Sequence, residues 1–252
     1  GIHGVWAASA LSDGVMIVVA AFMVASVIRN LGKDEGSAAD RLTMEEEAAA
    51  EREAGLPVRF LSRPELPVPA SAGVELPAQA LFHPLEFLQG VARDLTVYEN
   101  TRVTQVEEGR VTTTMGTVEA KHIIFACHFP FLRLPGYFFL RMHQERSYIL
   151  ALENAPPPPA MVYTVDPGGL SLRPWGDSLL VGGAGHPAGR NSAGGRYREL
   201  VSLARQYWPG CREAARWSAQ DCITLDGIPY IGEFSAGRPG WYVATGFGKW
   251  GM

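Results

Sequence analysis

The last seven residues of a 252-residue chain, Gly246-Phe247-Gly248-Lys249-Trp250-Gly251-Met252, set three glycines around a lysine and two aromatic side chains. Glycine at that density lets backbone N–H groups approach a ligand closely, and Lys249 adds positive charge beside them. Such a loop suits a planar ligand that gains negative charge as it reacts. The competing reading is an ordinary glycine turn. Upstream, Asp226-Gly227-Ile228-Pro229-Tyr230-Ile231-Gly232 reads as a tight turn feeding a short strand. His128 follows the apolar run from His122 to Cys127, where a strand emerges into a loop. Functional side chains of α/β folds commonly stand there, although a structural histidine is the alternative.

Other chemistries lack their residues. The six histidines show no HxH, HxxxH or HExxH spacing, so a metal site is not expected. No GxSxG elbow supplies a hydrolase nucleophile. Gly183-x-Gly185-x-x-Ala188 imitates a dinucleotide fingerprint, but Pro187, Gly189, Gly194 and Gly195 keep the chain from opening a helix onto a phosphate. A wide turn before a later helix is expected instead. A net charge of −4 without a basic block gives nucleic acid no electrostatic footprint. Three widely spaced cysteines, Cys127, Cys211 and Cys222, read as thiols in a reducing compartment.

The elements that would position these residues follow from periodicity and punctuation. The apolar run Val15–Ile28 is too short for about 20 membrane-spanning residues and reads first as a buried helix or strand. Thr43–Ala54 is Ala- and Glu-rich and stops at Gly55 and Pro57, predicting a helix with a solvated acidic face. Prolines crowd residues 57–84 into extended segments and turns. Pro84 opens a helix with the stripe Leu85, Leu88, Val91, Ala92 and Leu95, and His83 stands at its start. Runs 97–106, 110–115 and 117–126, with turns at Glu108-Gly109 and Met115-Gly116, predict a β-meander. Tyr137–Leu152 and Ala160–Gly183 are strand-rich, with hairpin turns at 166–169 and 175–177. A helix from about Gly195 to Trp208, approached by Asn191 or Ser192, turns Tyr197, Leu200, Val201, Ala204 and Trp208 to one side.

Several ordered stretches then resemble one family. FHPLEFLQGVA (82–92), YENTRVTQVE (98–107), HIIFACHFPF (122–131), RMHQERSYILALE (141–153), RWSAQDCITLDGIPYIG (216–232) and YVATGFGKWGM (242–252) are similar to FAD-dependent oxidoreductases of the D-amino-acid-oxidase or glycine-oxidase-like superfamily. The branch is one whose members often carry a Rieske iron–sulfur domain after the flavoprotein part. The resemblance covers roughly residues 56–252. It implies a mixed α/β fold in which a partial Rossmann-like FAD domain with a β-meander interleaves with an antiparallel-sheet substrate domain. The expected segments are 1–55 (divergent or incomplete FAD-domain part), 56–80 (substrate domain), 81–132 (FAD-domain helix and meander), 133–215 (substrate sheet and helix) and 216–252 (FAD-domain C-terminal segment).

The resemblance also assigns roles. Ala126, Cys127 and His128 would run beside FAD, with Val103 as the meander's backbone contact on the adenine side. Gly227, Ile228, Pro229 and the loop Gly246, Phe247, Gly248, Lys249, Trp250, Gly251 and Met252 would edge the isoalloxazine, which gains charge on reduction. Arg141, Tyr148 and Arg173 would face substrate on the sheet supplied by Tyr137–Arg173. The implied reaction is hydride transfer from a carbon bearing an amine to flavin N5, with Lys249 and Asp221 as the catalytic candidates.

Two departures stand out. No GxGxxG segment is present, residues 1–40 do not match the expected pattern, and the sequence starts without Met and stops inside the glycine loop. A piece of a flavoprotein that holds FAD poorly by itself is expected, with 2Fe-2S only where a Rieske domain follows. Amino-acid-oxidising relatives place an arginine five residues before the Asp of the turn to clamp a carboxylate, whereas this chain has Asp221. Reversing the charge favours a cationic group on the substrate, unless Asp221 points into solvent or pairs with Arg216 or Arg141. The expected partner is a small amine or amino-acid-like molecule, with no nucleic acid, no membrane and a cytoplasmic location. The alternative is a non-catalytic remnant with a binding or structural role, and a third reading tethers the protein to a membrane through Val15–Ile28.

Overall fold

The computed structural model describes residues 26–28, 38–164, 169–190 and 194–248. Contacts divide the chain into two compact units, one of Gly1–Leu81 with Glu145–Gln220, the other of Phe82–Gln144 with Asp221–Lys249.

The first unit is built on an eight-stranded sheet. Its strands are β1 (Ser26–Ile28), β2 (Arg59–Leu61), β3 (Gly73–Glu75), β8 (Met142–Glu153), β9 (Val162–Thr164), β10 (Ser171–Trp175), β11 (Ser178–Pro187) and β12 (Arg212–Thr224). The order is β12-β8-β11-β10-β9-β1-β3-β2. Of the apolar run Val15–Ile28, Ser26–Ile28 is the described part; β1 lies parallel to β9 and antiparallel to β3. Rows such as Leu172, Val181 and Leu150 alternate with rows such as Arg173, Leu180 and Ala151, so each face of the sheet carries one set. The first set packs under α4 (Arg196–Tyr207), where Leu150, Leu172, Leu179, Val181, Leu200 and Ala204 are buried together. Trp208 closes that cluster from the helix end.

Helix α1 (Ala38–Glu53) begins before the predicted Thr43 and places Met44 and Ala48, one turn apart, on Val58, Val74 and Leu76. Tyr163 packs against the same cluster, and burial together with Glu51 and Glu47 pushes its hydroxyl pKa up. The hairpin β10–β11 turns through Gly176-Asp177, with Gly176 at φ +55° in the first loop position. The predicted turn at 166–169 and the approach residues Asn191 and Ser192 fall mostly or wholly outside the described residues.

The second unit holds two small sheets. One is the meander of β4 (Val103–Glu107), β5 (Arg110–Thr113) and β6 (Gly116–Glu119). The third run expected for it, 117–126, divides: β6 ends at Glu119, and β7 (Ile123–Phe125) joins the other sheet, parallel to β14 (Trp241–Thr245), which pairs with β13 (Tyr230–Glu233). Alternation in that run registers an extended chain but not the break at 120–122 that sends its apolar end elsewhere. Phe125, Phe138, Met142, Phe234, Trp241 and Val243 form the buried core.

Helix α2 (Pro84–Ala92) starts at the predicted proline, and His83 Nδ1 accepts from the Glu86 N–H at 3.4 Å. Its apolar stripe is not buried: Leu85, Leu88 and Val91 all remain exposed. The imitation fingerprint is also corrected. Gly183–Pro187 is neither phosphate loop nor wide turn but part of β11, with its register broken by a bulge between Gly183 and His186.

Candidate functional site

Within the second unit, three sequence-distant stretches root in one buried floor. After β7 the chain passes Ala126 and Cys127 to His128, which takes a left-handed φ of +65° although it carries a side chain. Thr245, at the end of β14, donates its hydroxyl to the His128 carbonyl. Strand β12 enters from the other side: Ile223 bridges Phe247, and the Gly248 N–H donates to the Cys222 carbonyl at 2.9 Å. Thr224, Thr245 and Gly246 are buried. Ala126–His128 and Leu225–Ile228 stand exposed above them.

Side chain and backbone shape both loops. Asp226 Oδ1 accepts the Ile228 N–H at 3.1 Å, and Gly227 at φ +75° completes the turn. A Cβ on Gly227 would meet nothing within 4 Å, so open space lies beside the turn. Gly246, at φ +76°, is different: a Cβ there would overlap the Thr224 methyl and come 3.3 Å from Met142 Sδ. Thr224 Oγ1 is buried beside it with no hydrogen-bond partner among the described residues. Unspent hydrogen-bonding capacity on a floor that excludes side chains, ringed by exposed glycine turns, fits the edge of a planar polar ring.

Arg141 ends the one-turn helix α3 (Phe138–Arg141), which precedes β8 and was not expected from sequence. Its guanidinium lies 4.7 Å from the Phe138 ring centroid and 4.6 Å from that of Tyr230. The Arg141 carbonyl accepts from the Leu225 N–H at 3.1 Å and the Tyr230 hydroxyl at 3.3 Å, tying the Asp226 turn to α3. Cys222 is buried and accepts weakly from Gln144 Nε2 at 3.8 Å; burial pushes its thiol pKa up. Asp221 is half-buried beside it on β12. Arg216 pairs with Glu213, and Arg141 lies over the Phe138 and Tyr230 rings. Val103 begins β4 opposite Thr113, on the separate meander sheet. Lys249, Trp250, Gly251 and Met252 lie outside the described residues.

In the first unit the expected substrate residues separate. Arg173 shares its face with Leu180 and Ala151, and burial pulls its guanidinium pKa below the usual value. Tyr148 instead packs into the cluster under α4, edge-on to Tyr197 at 4.8 Å. One ligand on one face of this sheet cannot touch both. Tyr148 Oη lies 3.1 Å from His186 Nε2, while His186 Nδ1 lies 2.9 Å from the Pro187 carbonyl. Because that carbonyl only accepts, Nδ1 carries the proton and Nε2 receives the Tyr148 hydroxyl. Sequence reasoning missed this pair; the bulge that aims His186 has no signature beyond its glycines. Arg146, which reaches Ser218 and Gln220, was missed likewise.

One unit built on an eight-stranded sheet with α4 packed on one face and α1 on the other, and one whose parallel β7–β14 pair ends in glycine loops, define a two-unit α/β fold. The profile of the family described as FAD dependent oxidoreductase (DAO) matches residues 18–252, and the chain belongs to that family. The match begins at residue 18, upstream of the stretches quoted for the resemblance. A Bacillus subtilis protein (strain 168) with the provisional name Rieske 2Fe-2S iron-sulfur protein is 31% identical over 205 residues, covering 75% of this chain and 40% of that one. The chain thus spans about two-fifths of that relative. Among solved structures, glycine oxidase from Geobacillus kaustophilus superposes with a TM-score of 0.70 at 19% identity over 95% of this chain and 72% of its own. L-proline dehydrogenase from P. horikoshii does so at 0.66 and 16%, over 89% and 67%. At these identities the superpositions establish the fold. No helix among the described residues is long and apolar enough to cross a membrane.

Proposed function

We propose that the chain is part of a flavoenzyme that oxidises a C–N bond of an amine or amino-acid-like molecule, with the flavin ring held by the second unit. The observation that carries this reading is the shared floor of Thr224, Thr245 and Gly246, which gathers Ala126–His128, Leu225–Pro229 and Gly246–Gly248 from three parts of the chain. Glycine oxidase and L-proline dehydrogenase, whose fold the chain shares, carry C–N substrates in their names.

FAD, when bound, supplies an acceptor at N5 for the hydride of the carbon bearing the amine. The residues here orient and tune. Gly227, with open space beside it, lets the backbone approach the ring, while Gly246 lets Thr224 pack into the floor beneath. Asp221, with a carboxylate where a clamp for carboxylates would need a cation, holds a positively charged group of the substrate. Arg173, on the sheet face away from α4, is the substrate-facing candidate of the first unit. Water would then hydrolyse the imine to a carbonyl compound and ammonia, or an amine where the nitrogen carries a second carbon.

The test is the full-length protein reconstituted with FAD and mixed anaerobically with a panel of amines and amino acids. Bleaching of the flavin absorbance by an amine is the expected result. Protein that stays colourless after reconstitution overturns the reading in favour of a non-catalytic remnant.

A further inference from the structure

Near the start of α4, five side chains from three strands of the first unit meet on one face of the sheet: Arg146 and Tyr148 of β8, His186 of β11, and Ser218 and Gln220 of β12. The register sets His186 opposite Arg146, and strand alternation gives Tyr148 the same face as Arg146. Arg146 Nη1 donates to Ser218 Oγ at 2.9 Å, and Nη2 donates to Gln220 Oε1. Tyr197, in the first turn of α4, stands edge-on to Tyr148. All five residues of the cluster are half-buried, so solvent still reaches them.

The charge of Arg146 is met only by a hydroxyl and an amide, and its remaining N–H groups find no acceptor among the described residues. Carboxylates nearby are committed or turned away. Glu213 holds Arg216, whose guanidinium lies 5.3 Å from the Tyr197 ring centroid, and Glu199 of α4 holds Arg196. Glu145 precedes Arg146 and takes the opposite face of β8. From Val181 to Arg198 the chain carries no Asp or Glu but has Arg190, Arg196 and Arg198, in a molecule whose net charge is −4. An anion is the partner this corner lacks.

His186 adds a proton to the arrangement. Its Nδ1–H is fixed on the Pro187 carbonyl at 2.9 Å, and Nε2 receives the Tyr148 hydroxyl at 3.1 Å. When Nε2 takes up a proton, the imidazolium donates to Tyr148 Oη instead, and the phenol hydrogen turns outward as a donor. A second positive charge and a new O–H donor then stand beside Arg146.

We propose that Arg146, Tyr148 and His186 bind a tetrahedral dianion, the phosphoryl group of a small molecule, and take up one proton with it. Its two negative charges match Arg146 and protonated His186, and its several oxygens accept from the guanidinium and the Tyr148 hydroxyl together. A carboxylate would leave one of the two positive charges unmatched. Ser218 and Gln220 hold the guanidinium and are positioning residues. The cluster shares the α4 face of the sheet, away from Arg173, and is independent of the proposed catalysis.

The experiment is isothermal titration of the FAD-loaded full-length protein with inorganic sulfate, which stays dianionic near neutral pH, in two buffers of different ionisation enthalpy. Sulfate is expected to bind with uptake of up to one proton, its affinity falling up to about tenfold per pH unit as pH rises from about 7 to 8. Inorganic phosphate should bind as well, and acetate at least about tenfold more weakly. Arg146→Gln should lose about tenfold or more in affinity and Tyr148→Phe roughly fivefold. His186→Gln should abolish the proton uptake and flatten the pH dependence. Arg146→Lys keeps the charge and should retain most of the binding, which separates a lost ion contact from a lost fold. Flavin content and melting temperature in sulfate-free buffer serve as further controls. Absence of both sulfate and phosphate binding overturns the proposal, as does wild-type affinity in Arg146→Gln, equal affinity for acetate, or unchanged proton uptake in His186→Gln. Each readout is separate from turnover, so failure here leaves the catalytic reading standing, and the converse.

Discussion

Gly246 rests directly against Thr224: the absent Cβ leaves the space that the threonine methyl fills, and both residues are buried. This contact joins the end of β12 to the glycine loop that follows β14. It makes glycine obligatory at 246 for two reasons, the overlap and the positive φ of +76°.

Gly246→Ala is therefore expected to cost about 1–3 kcal/mol from strain and overpacking. Bound flavin should fall with it, because the floor shifts. Thermal melting and flavin absorbance of the purified protein check both, and a variant with wild-type melting and colour contradicts the assignment.

Asp221→Asn removes the charge and keeps the shape. In the full-length enzyme it should lower kcat/KM for cationic amines about ten- to hundredfold, in keeping with the loss of a charge-assisted hydrogen bond. Flavin content should not change. Unaltered kinetics across an amine panel would remove Asp221 from the substrate site.

Tyr148 and Arg173 lie on opposite faces of the sheet, so their variants should separate. Tyr148→Phe keeps the packing under α4 and loses the bond to His186, costing about 1 kcal/mol of stability with KM unchanged. Arg173→Gln should raise KM instead. Denaturant melts and steady-state kinetics on both variants distinguish the two faces, and a KM effect in Tyr148→Phe would place that tyrosine back in the substrate site.

Burial raises the Cys222 thiol above its ordinary pKa of 9.0. A folded pKa above the unfolded one means that the contribution of this thiol to stability is complete below pH 9.0 and is lost as pH rises from there through the folded value. Below that pH, Cys222 should resist alkylation until the protein unfolds, whereas exposed Cys127 reacts. Mass spectrometry after timed iodoacetamide treatment reads the order, and rapid native labelling of Cys222 would contradict it.

Much of this was legible from residue types alone. Pro84 and His83 mark the start of α2 because local chemistry decides a helix N-terminus, and the turn at Asp226-Gly227 follows from Asp and Gly in adjacent positions. The Tyr197, Leu200, Ala204 and Trp208 stripe announces the side of α4 that meets the sheet, since a helix repeats nearly every four residues whatever it packs on. The ordered motifs pointed to the FAD-dependent oxidoreductase family. Tertiary structure decided the rest. Whether Tyr148 or its neighbour faces the core depends on strand register, which a single sequence leaves open by one residue and with it by a whole face. The stripe of α2 has the right period, yet it stays exposed, because burial needs a partner surface and periodicity names none. The meeting of Thr224, Gly246, Thr245 and His128 depends on long-range pairing of β7, β12 and β14, contacts between residues up to 117 apart that no local preference encodes.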